Sequence, residues 1–229
     1  MVLPPKITVM PHRSDKKAEQ SNTPTAPIEL TKKQKRQLKD KNRKRILDCV
    51  TKGSVCVEIG VWRGEFSRQI LDNINPLHLA LIDPWQHFED DNKTDAFTGR
   101  TEEKRFEDIY SEVCEKFHYE VESGQVSIMR ELSGSAIKQF ENQTIDFAYI
   151  DGDHSYEGVC ADLAALFPKM KDDGIIAFDD YHRFGWWGDG VLRAIHEFIG
   201  RNPTQCRVLM VEGAQIALSK LGPIPETQE

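Results

Sequence analysis

The sequence predicts an α/β fold: a doubly wound, mainly parallel sheet of seven strands, with helices on both faces and an antiparallel hairpin at its C-terminal end. Three observations carry this expectation. Short apolar runs alternate with stretches of helical spacing from Ser54 to about residue 200. Several of those runs are apolar throughout, as strands buried on both faces are. The last two runs, "CRVLMVEG" and "QIALSK", follow each other with almost no gap and read as a closing hairpin.

The elements follow in order. "SVCVEIGV" (54–61) is a buried strand, and "EFSRQILDNI" (65–74) places Phe66, Ile70, Leu71 and Ile74 at helical spacing. "HLALIDPW" (78–85) is the second strand. Residues 101–118 form a helix with Phe106, Ile109, Tyr110, Val113 and Phe117 on one face. "QVSIMREL" (125–132) is the third strand, and a helix starts at Ser133, which reads as its N-cap. "TIDFAYID" (144–151) is the fourth strand, with a helix at 155–167; "GIIAFDDY" (174–181) is the fifth, with a helix at about 189–200.

Ahead of this core lies a chain of different character. Residues 1–29 are rich in Pro, Thr, Ser, Asn and Gln without a sustained period, and are expected to be a disordered arm. Residues 30–51 read as a basic helix capped by Thr31, with Leu38, Ile46, Leu47 and Val50 as apolar anchors. Its charge is explained by a solvated face, or by a patch for RNA, a membrane surface or an acidic partner. The main domain is expected over 52–222 and a flexible tail over 223–229. Residues 1–50 carry 13 Lys and Arg against 5 Asp and Glu, and the rest of the chain 17 against 32. An acidic body argues against a nucleic-acid surface on the main domain.

The five cysteines are scattered with no CxxC, which disfavours a zinc site or disulfide framework and fits a reducing, cytoplasmic setting. No apolar run approaches the roughly 18 residues of a membrane span, and the N-terminus lacks the apolar centre of a signal peptide.

In parallel sheets, ligands bind beyond the carboxyl ends of the strands. Four strands carry an acid at or near that end: Glu58, Asp83, Asp151, and the pair Asp179–Asp180. Gly60 and Gly64 frame the turn after the first strand, where backbone can approach a ligand. The spacing is G-x-x-x-G, with Trp62 in its middle, not the G-x-G-x-x-G of dinucleotide sites. Asp83 is placed to accept the hydroxyls of a ribose, and with the glycine turn it points to an adenosine-containing cofactor. Neighbouring strands lie about 4.8 Å apart, so Asp151, Asp179 and Asp180 should converge. Carboxylates that close need a cation or a shared proton, and oxygen ligands suit Mg²⁺. His154 lies three residues past Asp151, within reach of a substrate hydroxyl as a general base. Helix capping and loop organisation are the plainer roles for the same acids.

"VEIGVWRGEFS", "LALIDPW", "IDFAYIDGDHSYEGVCADL" and "DDGIIAFDDY" resemble the ordered motifs of class I S-adenosylmethionine-dependent methyltransferases, over roughly residues 50–220. The resemblance is closest to the small-domain branch that includes sugar and macrolide O-methyltransferases. It implies a Rossmann-like sheet. It further implies that Glu58, Gly60 and Gly64 shape the methionine end of the cofactor pocket, that Asp83 holds the ribose, and that Ser133 lies beside the adenine. Asp151 would touch the cofactor and, with Asp179 and Asp180, bind Mg²⁺; His154 would be the base. Residues 86–101 and 182–188 would form substrate loops, with Trp186 and Trp187 stacking on a ring or serving as packing. The acceptor would be a small-molecule hydroxyl, such as a sugar or natural product, and a homo-oligomer is compatible with this branch.

Two other classes stay open on the sequence. A metal-dependent glycosyltransferase would use Asp151-x-Asp153, but has no need of Glu58, Gly60, Gly64 and Asp83. A non-catalytic cofactor-binding protein would use the basic arm to dock. A nicotinamide-dependent oxidoreductase is disfavoured by Trp62 in the glycine turn.

Overall fold

A computed structural model describes residues 30–86, 103–183 and 185–223. The disorder expected for 1–29 and nearly all of the 86–101 loop and the C-terminal tail fall outside these residues. Seven strands form one sheet: β1 (Val55–Ile59), β2 (His78–Ile82), β3 (Val126–Met129), β4 (Ile145–Ile150), β5 (Met170–Phe178), β6 (Cys206–Glu212) and β7 (Gln215–Lys220). Their order is β3-β2-β1-β4-β5-β7-β6. The first five strands run parallel, while β7 pairs antiparallel with both β5 and β6. Strand order reverses between β1 and β4, which opens the crevice at their carboxyl ends.

Among the described residues, seven α-helices accompany the sheet: α1 (Lys32–Leu47), α2 (Glu65–Ile74), α3 (Glu103–Lys116), α4 (His118–Glu122), α5 (Ser133–Ala136), α6 (Tyr156–Leu166) and α7 (Gly190–Arg201). Alternate strand residues serve opposite faces. Phe147 and Tyr149 of β4 pack with Phe66 and Ile70 of α2, Ile109 and Val113 of α3, and Ile46 and Leu47 of α1. Ala148 and Ile150 pack with Val159 and Leu163 of α6 and Val191 and Ile195 of α7. Because both faces are covered, the central strands read as unbroken apolar runs rather than alternating ones.

The ends of elements show where local signals were weaker. β5 begins at Met170 rather than Gly174, because Lys171–Asp173 are polar and solvent-facing and carry no strand signature. The long helix expected to residue 118 breaks at Phe117 into α3 and α4. Thr31 caps α1 through a reciprocal capping box with Gln34. Ile46 and Leu47 are buried as anchors of that helix and Val50 packs against the same core, but Leu38 is 46% exposed. At the start of α5 the N-cap is Leu132, not Ser133; the Ser133 hydroxyl is engaged elsewhere. No helix among the described residues is long and apolar enough to cross a membrane.

Candidate functional site

The carboxyl ends of β1, β2 and β3 form one half of the crevice. Glu58 points to the α2 side and is 2% exposed. It accepts a hydrogen bond from the Ser67 hydroxyl, yet burial pushes its carboxyl up to about 8. The chain then turns at Gly60 with φ +85°, where an added Cβ would lie 2.1 Å from the Asp151 carbonyl oxygen. Only glycine lets β1 and β4 leave the sheet this closely. Gly64, also left-handed, backs onto the Phe117 ring at 2.5 Å from an ideal Cβ. Protein, not open space, fills both glycine notches.

Asp83 is buried completely at the end of β2. Its Oδ2 accepts from the Val61 and Trp62 amides at 3.0 and 2.9 Å, and its Oδ1 from the Trp85 amide at 2.8 Å. The Trp85 indole N–H in turn donates to the Trp62 carbonyl. These bonds hold Trp62 at φ 53°, a left-handed conformation that costs a non-glycine residue about 1 kcal/mol. Burial raises the Asp83 carboxyl to about 6 against the lowering effect of the three amides. A carboxylate has about four acceptor positions, so the three amides leave Asp83 with about one. The Ser133 hydroxyl donates to Asp162 Oδ1 at 2.5 Å, and burial raises Asp162 to about 6 despite that bond.

The ends of β4 and β5 form the other half, and cations crowd it. The Arg43 side chain comes from α1. Its Nη2 donates to Asp151 Oδ2 at 2.8 Å and to Asp179 Oδ2, and its Nε to the Tyr149 hydroxyl at 3.0 Å. Its guanidinium carbon lies 4.6 Å over the Phe66 ring. Lys39, one turn earlier, reaches Asp179 Oδ2 at 2.6 Å, and the Gln215 amide donates to Asp179 Oδ1 at 2.9 Å. Burial alone would push the fully buried Asp179 carboxyl up, but Arg43, Lys39 and Gln215 hold it well below the ordinary carboxylate range. Asp180 takes φ 53°, and its carboxylate meets the rings of His154 and His182, each at 3.3 Å.

His154 stands between Asp151 Oδ1 at 3.4 Å and Asp180 Oδ2 at 3.3 Å. Burial would favour the neutral ring, but the two carboxylates win and raise it to about 10. Trp187 stacks on the imidazole, centroids 4.8 Å apart. Trp187 therefore packs within the protein rather than waiting for a sugar ring.

The structure brings Asp151, His154 and Asp180 together: one ligating atom from each lies within 4.8 Å of the others. It does not assemble the expected trio of Asp151, Asp179 and Asp180. Asp179 lies on the α1 side of the sheet end and is filled by basic groups, while Asp180 turns to the histidines. The set that does converge includes an imidazole, a poor partner for Mg²⁺, and its Asp151 already holds Arg43. The residues present do not fit the expected ion. Asp153, the second acid of the Asp-x-Asp pattern, accepts from the Ser155 amide as a loop-organising turn.

A methyltransferase-domain family matches residues 57–181, more than half of the chain. The chain belongs to the methyltransferase-domain family. Its sheet order is that of the class I fold, and solved structures share it at low identity. The O-methyltransferase NovP matches with 20% identity and a TM-score of 0.55 over 81% of this chain and 80% of its own. A Corynebacterium glutamicum protein matches with 15% identity and a TM-score of 0.56, covering 82% and 83% of the two chains. SMU.1697c of Streptococcus mutans, solved with S-adenosylhomocysteine bound, matches with 12% identity and a TM-score of 0.54 over 80% of this chain and 97% of its own. An uncharacterized mimivirus protein, R132 of Acanthamoeba polyphaga mimivirus, is 34% identical over 55 residues, 24% of either length.

The match to this methyltransferase family starts after α1, so Arg43 and Lys39 lie outside it. Sequence reasoning also missed Asp162 and Gln215. The available signal was in α1: Lys39 and Arg43 are four residues apart and so share a face, as do Arg43 and the buried Ile46 and Leu47.

Proposed function

We propose that this protein transfers the methyl group of S-adenosylmethionine to a hydroxyl of a small molecule, a sugar or related natural product. The family match carries the reading, because its 57–181 span contains Glu58, Asp83, Asp151, His154 and Asp180. Of the two cofactors implied by the sequence, S-adenosylmethionine is the one the residues suit. Gly64 offers α2 no side-chain cap, so the first amides of that helix remain available for the cofactor carboxylate. Glu58 stands beside them, Asp83 has one acceptor position for the ribose, and Ser133 with Asp162 flanks the adenine.

When bound, the cofactor supplies an electrophilic methyl group. Transfer to an acceptor hydroxyl would exchange the carbon–sulfur bond for a carbon–oxygen bond, with the electron pair staying on sulfur. The hydroxyl proton must leave; His154 at the end of β4 takes it in the molecules whose ring is neutral, and because Asp151 and Asp180 raise that ring to about 10, this fraction grows as pH rises. Alignment of oxygen, carbon and sulfur supplies most of the rate. The scattered cysteines, all free, support a cytoplasmic setting.

The test is calorimetric titration of the full chain with S-adenosylhomocysteine, NAD and nucleotide sugars, followed by transfer of labelled methyl groups to a panel of hydroxyl acceptors. S-adenosylhomocysteine should bind and the others should not; its failure to bind removes the reading. His154→Ala should lower turnover most at alkaline pH, where the wild-type ring is neutral, by up to about 10²–10⁴-fold, the usual contribution of a general base, while leaving cofactor affinity unchanged.

A further inference from the structure

β4 and β5 pair in parallel with Ile150 opposite Phe178, so Asp151 and Asp179 leave the sheet side by side. Two carboxylates so placed repel unless a cation lies between them. One does. The Arg43 Nη2 bonds to both, its Nε bonds to Tyr149, and the guanidinium is stacked on Phe66, leaving the side chain 11% exposed. A planar fork of five donors suits this bridging role, and it cannot lose its charge. Lys39 supplies a second positive group to Asp179, and Gln215 occupies that carboxylate's other oxygen.

The helix that delivers Arg43 is fixed. Its start is closed by the Thr31–Gln34 capping box, its end is anchored by Ile46 and Leu47, and Arg45 pairs with Glu212 of β6. Asp40 accepts from Gln69 of α2. Every tie points to α1 as a wall of the crevice rather than a loose basic arm.

We propose that the Arg43 guanidinium, supported by Lys39, is the cation held by Asp151 and Asp179, in place of a divalent metal ion. The inference rests on the methyl-transfer reading only for what the crevice is used for; the cation assignment stands on the ion pairs themselves. It makes α1 part of the reaction site. The charge beside the acceptor is then built into the chain, and chelators have nothing to remove.

The experiment is Mn²⁺ titration of the full chain, followed by electron paramagnetic resonance, with S-adenosylhomocysteine affinity measured in parallel. The wild type should hold no stoichiometric Mn²⁺ that is sensitive to Asp179→Asn or Asp151→Asn. The double variant Lys39→Met, Arg43→Met vacates the position and should gain Mn²⁺ affinity at least about tenfold, now sensitive to Asp179→Asn. Stoichiometric Mn²⁺ on the wild type that Asp179→Asn removes would overturn the proposal, as would a folded double variant with no gain. Should the double variant not fold, the wild type still decides. A ligand bound only by the folded state must raise the melting temperature, so millimolar Mg²⁺ should leave it unmoved, and a rise of several degrees refutes the assignment. Loss of S-adenosylhomocysteine binding in the wild type would instead sink the methyl-transfer reading and leave the cation question to the Mn²⁺ data.

Discussion

The strand ends of β1 and β2 on one half of the crevice and of β5 on the other use one device and reach opposite electrostatic states. On each side a buried parallel strand ends in an acid. At β1 and β2, Glu58 and Asp83 meet only a hydroxyl and backbone amides, and burial raises them to about 8 and about 6. At β5, Asp179 is as deeply buried, but Arg43 and Lys39 hold it below the ordinary carboxylate range. The difference is not the strand or the acid. It is how much positive charge and hydrogen bonding the surroundings supply against burial: Asp179 has Arg43, Lys39 and the Gln215 amide, whereas Asp151, beside the same Arg43 but facing Asp179, stays raised to about 6. Unlike Glu58 at the end of β1, Asp179 at the end of β5 stays ionised.

Removing the cation is the strongest way to break this contrast. Arg43→Ala leaves Asp179 buried with Lys39 as its one remaining cationic partner and should cost about 3–5 kcal/mol, the usual effect of breaking a buried ion pair. Urea denaturation at neutral pH measures it. A loss below about 1 kcal/mol, the worth of a surface pair, would show that the guanidinium is a solvated contact. The same variant should change acid unfolding. A depressed carboxyl contributes stability above its unfolded value of about 3.9 that is lost as pH falls through the folded value, so the acid limb of the wild-type curve should flatten in Arg43→Ala.

Glu58 sharpens the contrast with the opposite sign. Its folded value of about 8 lies above the unfolded value of about 4.3. Between those limits the folded state binds more protons, so stability falls as pH rises from about 4 to 8. Glu58→Gln keeps an acceptor for the Ser67 hydroxyl and removes the charge. It should be neutral near pH 4 and more stable than the wild type by about 1–3 kcal/mol at pH 9, within the range of mutations at buried ionisable groups. Parallel curves for the two proteins from pH 5 to 9 would contradict the raised value.

The smallest effect tests whether the acids beside β1–β3 depend on neutral donors. Ser133→Ala removes the single hydroxyl bonded to Asp162 and should cost about 1 kcal/mol, the net value of an ordinary hydrogen bond. The loss should be largest at alkaline pH, where Asp162 is ionised in its buried place, and thermal denaturation at pH 5 and pH 9 reads the difference.

Much of this molecule was legible in its residues. The order of strands and helices, the acids at four strand ends, the Thr31 cap of α1 and the closing hairpin all follow from spacing and turn chemistry, which act over a few residues. Placing Asp151 near Asp179 needed only the rule that consecutive parallel strands lie side by side. What each acid meets was not local. Arg43 and Asp179 are 136 residues apart, and α1 offers nine Lys and Arg along its length, of which the docked face selects Lys39 and Arg43. Nor could the pair Asp179–Asp180 reveal that one side chain turns to α1 and the other to His154, since the left-handed φ of Asp180 is imposed by its surroundings. The sequence by itself determined where carboxylates stand, because strand periodicity is short-ranged. Only the tertiary structure decided which of them keep their charge, because that depends on cations brought through space and on water excluded by packing.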